Sequence, residues 1–384
     1  MRLPSTMATN AFATLVLLMS SMPACTDRSK QPASEERSDL KARAPFEADP
    51  FWPKSLPNHW MLGEVAGVAV DKDDHIWILQ RRILTDREAG AVQNPAESEC
   101  CVPAPAVIEF DPHGNVVQAW GGQDSTQRWF TSEHGLFVDD EGNVWVGGNN
   151  VKDDVIMKFT KTGKMLLQIG EWGVSKGSND THHLGGPTDI AVDVKANEIY
   201  ISDGYRNRRV IVFDATTAAY KRHWGGYGEK PDDSPLPEFV AGEKPIRSFR
   251  NPHSIRLSLD GLVYVADRSN NRIQVFRKDG SFVREGFLAR NTLYTGAIWD
   301  IAFSPDENQT YMYIADGMNM KIWTMLRSSM EVVGSFGQGG RNTGQFGWIH
   351  NIASDSKGNL YTAEVNPGKR IQKFRPTSYP QQNK

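Results

Sequence analysis

Pro252-His253-Ser254-Ile255-Arg256-Leu257, then Ser258-Leu259-Asp260-Gly261, then Leu262-Val263-Tyr264-Val265-Ala266-Asp267-Arg268, is the stretch that decides the fold. Two runs of alternating apolar residues flank an Asp-Gly turn, which is the chemistry of a β-hairpin and not of a helix. The same unit recurs as GVAVDKDDHIWILQ (Gly67 to Gln80), HGLFVDDEGNVWVGG (His134 to Gly148) and PTDIAVDVKANEIYISDG (Pro187 to Gly204). It returns twice more as WDIAFSPDENQTYMYIADG (Trp299 to Gly317) and HNIASDSKGNLYTAE (His350 to Glu364). Third strands follow, as in Arg209-Val210-Ile211-Val212-Phe213 and Arg272-Ile273-Gln274-Val275-Phe276, and fourth strands end in Trp120-Gly121, Trp224-Gly225 and Phe336-Gly337. Four strands per repeat, six times over, predict an all-β fold: a six-bladed β-propeller.

The repeats resemble the NHL type over Phe51 to Pro376, which sets the expected propeller at residues 51–376. The last repeat contains three strands and ends at Arg370-Ile371-Gln372-Lys373-Phe374. An N-terminal strand is therefore expected to close the last blade, and Asn58-His59-Trp60-Met61-Leu62-Gly63 is the predicted segment. Composition agrees with one large β domain. The chain has 384 residues, 39% hydrophobic, with 34 Gly and 21 Pro to supply turns. A net charge of −3 argues against nucleic acid or an anionic membrane surface as the main partner.

The first 25 residues read as a signal peptide: Arg2, an apolar run from Ala11 to Met19, then Met22-Pro23-Ala24-Cys25. A small residue before a cysteine resembles a bacterial lipoprotein signal, with Cys25 the lipidated residue; ordinary cleavage near Ala24 is the alternative. Both readings export the protein, to the periplasm or cell envelope, and leave membrane attachment to a lipid anchor at Cys25. Residues 26–50 read as a polar tether and 377–384 as a tail. Cys100 and Cys101 are adjacent, and form either a vicinal disulfide or two free thiols.

The residues that open the first strand of each repeat are, in order, Ala66, His134, Thr188, His253, Trp299 and His350. Histidine falls on repeats two, four and six. In a six-bladed ring these lie a third of a turn apart, so three imidazoles face one another across the axis, the donor set of a catalytic zinc site with an open position. The other six of the 9 histidines share no register and read as surface or structural, with His182 and His183 the two whose loop lies near the same face. First and second strands are antiparallel, so residues just after second strands share the histidines' face. These are Arg81, Tyr205 and Arg268. Two guanidiniums point to a small anionic ligand carrying a carboxylate, or a peptide C-terminus. A phenol beside them and a dication is a candidate base.

Several motifs occur together: Leu62-Gly63-Glu64-Val65-Ala66-Gly67-Val68-Ala69, His134-Gly135-Leu136, Asp203-Gly204-Tyr205-Arg206-Asn207, Pro252-His253-Ser254, Val265-Ala266-Asp267-Arg268 with Asn271-Arg272-Ile273-Gln274, and His350-Asn351-Ile352. In that order they resemble the peptidyl-α-hydroxyglycine α-amidating lyase family. The resemblance implies zinc on His134, His253 and His350, a catalytic Tyr205, and arginines Arg81 and Arg268 at the substrate. It implies cleavage of the N–Cα bond of a C-terminal α-hydroxyglycine to an amide and glyoxylate. It also implies calcium near the Val68 and Leu136 carbonyls, a site weakened here because Asn351 stands where the family has Asp. Trp348 stands where the family has Met and narrows the pocket differently. Half-cystines near the tyrosine and the second arginine are absent, with Arg206 in one place, and no copper monooxygenase domain is expected beside the propeller. Two other functions fit the same sequence: a non-catalytic propeller that binds ligands in the envelope, and a different propeller lyase or lactonase at the same metal.

Overall fold

The computed structural model describes residues 46–122, 127–243 and 245–377. The signal peptide, Cys25, most of the expected tether and nearly all of the expected tail lie outside them. Among the described residues the only helical segments are three 3-10 turns; everything else regular is strand. Six four-stranded antiparallel sheets succeed one another. Their first strands are Glu64–Val70, Glu133–Val138, Pro187–Asp193, Pro252–Leu257, Asp300–Phe303 and Ile349–Ser354. Six apolar clusters fill the six blade-to-blade interfaces. The cluster joining Tyr361, Ala363 and Ile371 of blade six to Val65, Ile76 and Ile108 of blade one completes the ring. The structure is the expected six-bladed propeller.

Two side-chain devices legible as sequence recur through the blades. The hairpin Asp between strands one and two turns the chain, as when Asp139 accepts from the Asn143 amide at 2.8 Å and the Trp145 indole at 3.0 Å. The carboxylate that ends strand two binds the arginine that opens strand three: Asp203–Arg209 at 3.0 Å, Asp267–Arg272 at 2.9 Å and Glu364–Arg370 at 2.9 Å. It also accepts from the loop that leads into strand one, as Asp267 does from the amides of Arg250 and Asn251. Gln80 does this in blade one, receiving the Gly63 amide at 2.7 Å. These loops lie on the face where first strands begin, so the same bonds that stiffen a blade fix the mouth of the ring.

The closure corrects one expectation. The strand that completes blade six is Phe46–Ala48, paired antiparallel with Arg370–Pro376 in the register Phe46↔Pro376 and Ala48↔Phe374. The propeller thus begins inside the segment read as tether. Phe46 is held by Tyr313 and Phe336, with ring centroids 5.3 and 5.0 Å away. The predicted segment instead places Trp60–Met61 beside Val102–Pro103, in parallel. The reason is distance. A fourth strand lies at the rim and a first strand at the axis, so the chain must cross three inter-strand spacings, roughly 14 Å. The other crossings use residues 121–132, 171–186, 225–251, 288–299 and 337–348, and 49–63 matches them. A strand at 58–63 would abut Glu64 and leave no chain for the crossing.

Candidate metal centre

In five first strands the pairing with the second strand skips a residue at one place, and that place holds Ala66, His134-Gly135, Thr188, His253 or His350. A bulge re-aims a side chain out of the pleat. In each of these blades it falls on the residue at the axis. Trp299 takes the equivalent place just ahead of its strand, its amide bonded to the Ala315 carbonyl at 2.9 Å.

The three histidines are brought together. Ring centroids lie 5.0 Å apart for His134–His253, 4.6 Å for His134–His350 and 5.1 Å for His253–His350. One nitrogen of each ring lies within 4.8 Å of those of the other two. The second nitrogen explains the orientation. Nδ1 of His134 donates to the Thr188 carbonyl at 2.6 Å, Nδ1 of His253 to that of Trp299 at 2.7 Å, and Nδ1 of His350 to that of Ala66 at 2.8 Å. Each acceptor is the axial residue of the next blade. A carbonyl only accepts, so Nδ1 carries the proton and Nε2 presents its lone pair to the axis. All three rings are buried. Burial holds His134 and His253 well below the usual imidazole range, helped by the charge of Arg81 for the first and of Arg268 for the second. Burial, then Arg81, brings His350 down to about 3. Neutral rings with fixed tautomers are what a divalent ion requires of its ligands. The donor set fits zinc.

Tyr205 is anchored over this ring. Asp203 receives the Gly185 amide and the Asn207 side chain, the Tyr205 amide bonds the Gly186 carbonyl at 3.1 Å, and Gly204 lets the turn pass against blade four. A Cβ on Gly204 would sit 2.1 Å from the carbonyl oxygen of Pro252, the residue before His253. The phenol hydroxyl donates to His134 Nε2 at 2.9 Å and lies 3.4 Å from His253 Nε2. One edge of Tyr205 stays open, at 37% exposure.

The two arginines differ. Arg81 reaches the site but is committed, donating to Glu64 at 2.9 Å and to the Glu133 carbonyl at 2.9 Å. Arg268 is 7% exposed, and its Nε has no hydrogen-bond partner. No carboxylate among the described residues pairs with it. Its guanidinium lies 4.3 Å from the Trp299 ring and 5.7 Å from that of Tyr205, a cation held by aromatic faces only. Trp299 in turn packs on His253 and His350, with centroids 5.4 and 5.6 Å away. The sequence reading gave Trp299 a register position but no role. It is the wall joining the arginine to the histidines. Trp348 stands against it at 6.0 Å, at φ +66. Glu133, also unassigned from sequence, is pushed up to about 7 by burial and accepts the Trp129 indole at 2.7 Å.

The remaining candidates fall elsewhere. His183 is bound to Asp180 and Glu171, with both ring nitrogens occupied. Cys100 and Cys101 stand with their Sγ atoms within bonding distance, in the long loop of blade one. A second ligand-like group, Asp71, His75 and Glu109, already contains a cation, since Lys161 Nζ lies 2.8 Å from Glu109. In the shaft below the histidines Asn351 is fully engaged, with Oδ1 2.5 Å from His350 Nδ1 and Nδ2 donating to Asp300 at 3.1 Å. The cation found beside it is Arg256, bound between Asp300 and Asp189. The calcium that the resemblance implied near Val68, Leu136 and Asn351 would have to share this shaft with a guanidinium already paired to two carboxylates.

Comparison with known proteins gives the same direction. The NHL repeat matches residues 249–276. The chain is 25% identical over 371 residues to the peptidyl-glycine alpha-amidating monooxygenase B of Xenopus laevis, covering 91% of this chain and 38% of that protein. It is 28% identical over 332 residues to the rat peptidylglycine alpha-amidating monooxygenase, covering 80% of this chain and 30% of that one. It therefore spans about a third of the length of the monooxygenases it matches. The probable peptidyl-alpha-hydroxyglycine alpha-amidating lyase of Caenorhabditis elegans is 26% identical over 324 residues, with 81% and 82% of the two chains covered. Among solved structures, a streptogramin B lyase superposes with a TM-score of 0.51 at 15% identity, over 88% of this chain and 99% of that one, a likeness of fold.

Proposed function

We propose that the chain is a zinc-dependent carbon–nitrogen lyase that cleaves the N–Cα bond of an N-acyl or peptidyl α-hydroxyglycine, releasing an amide and glyoxylate. One observation carries the reading: a buried guanidinium without a counter-ion, Arg268, stands beside three neutral imidazoles and a tyrosine. A scaffold has no use for a buried unpaired charge, whereas a site for a carboxylate-bearing substrate does. Relatives named as amidating lyases support the same class of chemistry.

A bound zinc ion supplies Lewis acidity toward the substrate hydroxyl. Arg268 holds the carboxylate, and Trp299 fixes the guanidinium from behind. Arg81, already paired with Glu64, adds positive potential and stiffens the strand end next to His134. Tyr205 acts as the base that takes the hydroxyl proton; the O–H electron pair becomes the carbonyl of glyoxylate as the C–N bond breaks. The bonding pair leaves on nitrogen, which receives the proton back to give the neutral amide. Atoms and charge balance without an oxidant. Export through residues 1–25 and lipid attachment at Cys25 belong to the same proposal. No helix among the described residues is long and apolar enough to cross a membrane. The test is glyoxylate release from α-hydroxyhippurate by zinc-loaded protein; no release from that compound refutes the assignment for small acyl-hydroxyglycines.

A further inference from the structure

The ring of residues directly below the histidines carries Ser254 after His253, Asp300 after Trp299, and Asn351 after His350. Asp300 is wholly buried and collects bonds from both neighbouring blades. Its Oδ1 accepts from Ser254 Oγ at 2.5 Å, from Arg256 at 2.7 Å and from its neighbour Ile301 N at 2.7 Å. Its Oδ2 accepts from Asn351 Nδ2 at 3.1 Å, from Ile352 N at 2.9 Å and from Arg256 at 2.8 Å. Arg256 is fixed by donating from Nε to the Ile301 carbonyl at 2.9 Å and by its bond to Asp189. Each donor on Asp300 thus lies in blade four, five or six, and two come from the residues that immediately follow His253 and His350.

The three ligands are not alike in this respect. His134 and His253 each have one acceptor on Nδ1, a main-chain carbonyl. His350 has two, the Ala66 carbonyl and Asn351 Oδ1 at 2.5 Å, and the Asn351 amide is aimed by Asp300. We propose that Asp300, neutralised by Arg256, is the positioning residue of the metal centre: through Ser254 and Asn351 it sets the spacing and aim of His253 and His350. Blade five carries no histidine at the axis and supplies the carboxylate that spans the blades on either side. The inference rests on the three histidines holding a metal ion and adds a residue outside that set. An amide cannot replace the carboxylate, because N–H donors face both oxygens and an amide nitrogen on either side would meet one of them.

The test is zinc affinity, by competition with a chromophoric chelator, for wild type, Asp300→Asn, Asn351→Ala and Ser254→Ala. The visible spectrum of the cobalt-loaded proteins is recorded beside it. Asp300→Asn is expected to lose roughly 10- to 100-fold in affinity, the usual effect of removing a partner that orients a ligand. It should also alter the cobalt spectrum, which a loss of fold stability alone would leave unchanged. Asn351→Ala and Ser254→Ala leave the Asp300–Arg256 pair in place and should each reproduce part of the loss. Either one combined with Asp300→Asn should add less than its separate effect. A folded Asp300→Asn with wild-type affinity and spectrum overturns the proposal. Should that variant not fold, unchanged affinity in both Asn351→Ala and Ser254→Ala does so. A wild-type protein that takes up no zinc defeats the metal reading itself, and this inference with it.

Discussion

Replacing Arg268 by Met separates a substrate-binding charge from a structural one. In the structure the guanidinium is 7% exposed, has no carboxylate partner and leaves Nε unbonded. Its favourable contact is the Trp299 face at 4.3 Å, an interaction of about 0.5–2 kcal/mol. Against this stands the cost of a buried unsatisfied polar group, about 1–3 kcal/mol. The two nearly cancel, so Arg268→Met should melt at the wild-type temperature or slightly above. Catalysis should move differently. A charge-assisted bond to the substrate carboxylate contributes about 1.5–3 kcal/mol. At about 1.4 kcal/mol per tenfold, kcat/KM for α-hydroxyhippurate should fall roughly 10- to 150-fold. The assay is glyoxylate release over a substrate series, run in parallel with the methyl ester, which lacks the anion. The ester should be turned over less well by wild type and should lose little further in the variant. An equal loss for acid and ester, or a large fall in melting temperature with unchanged kcat/KM, would falsify the assignment of Arg268 to the carboxylate.

Tyr205→Phe should keep fold and zinc content yet lose on the order of 100- to 10,000-fold in kcat, the range for removing a positioned base; wild-type turnover would move the base elsewhere. His253→Ala should cut zinc occupancy sharply, because two imidazoles hold the ion weakly, and elemental analysis showing full occupancy counts against the three-histidine site. Deleting the described chain through Ala48 should expose the Arg370–Pro376 edge and uncover the aromatic seat of Phe46. Light scattering and thermal melting should report aggregation and lower stability, and a deletion as soluble and heat-resistant as the parent would show that closure does not need this strand.

The blades were legible because their determinants are local. A period of two, an Asp turn and a carboxylate at the end of strand two all lie within twenty residues of one another. Closure was not local. Phe46–Ala48 is three residues of ordinary composition, and what selects it is an aromatic seat made by Tyr313 and Phe336 of blade five together with the length of chain needed to reach Glu64. The histidines were legible because a ring with one axial residue per blade turns a sequence register into a spatial one. Arg81 and Arg268 looked equivalent in that register. They part company through Glu64, which sits directly across the strand pair from Arg81 and pairs with it; that pairing is readable in the sequence once Glu64 is placed opposite the strand end. Arg256 had no such sign. Its reach into the shaft depends on side-chain length and on carboxylates in blades three and five.

The alternation of histidine around the ring has a physical reason that the tautomer bonds supply. A ligating imidazole must place its Nδ1 proton on an acceptor, and at the axis the nearest one is the main-chain carbonyl of the next blade. Any residue has such a carbonyl, so blades one, three and five serve the metal site through backbone, whatever side chain they carry. Ala66 and Thr188 use that freedom to stay small. Trp299 uses it to fill, and so builds the wall that holds Arg268 at the edge of the metal centre. In the proposed metal centre the six axial positions thereby divide into three ligands and three residues that orient them, and the one large side chain among the second three keeps Arg268 to one side. Under the proposed lyase chemistry, a substrate would have its carboxylate toward blades four and five and its hydroxyl toward Tyr205 and the axis, the order of atoms that C–N cleavage requires.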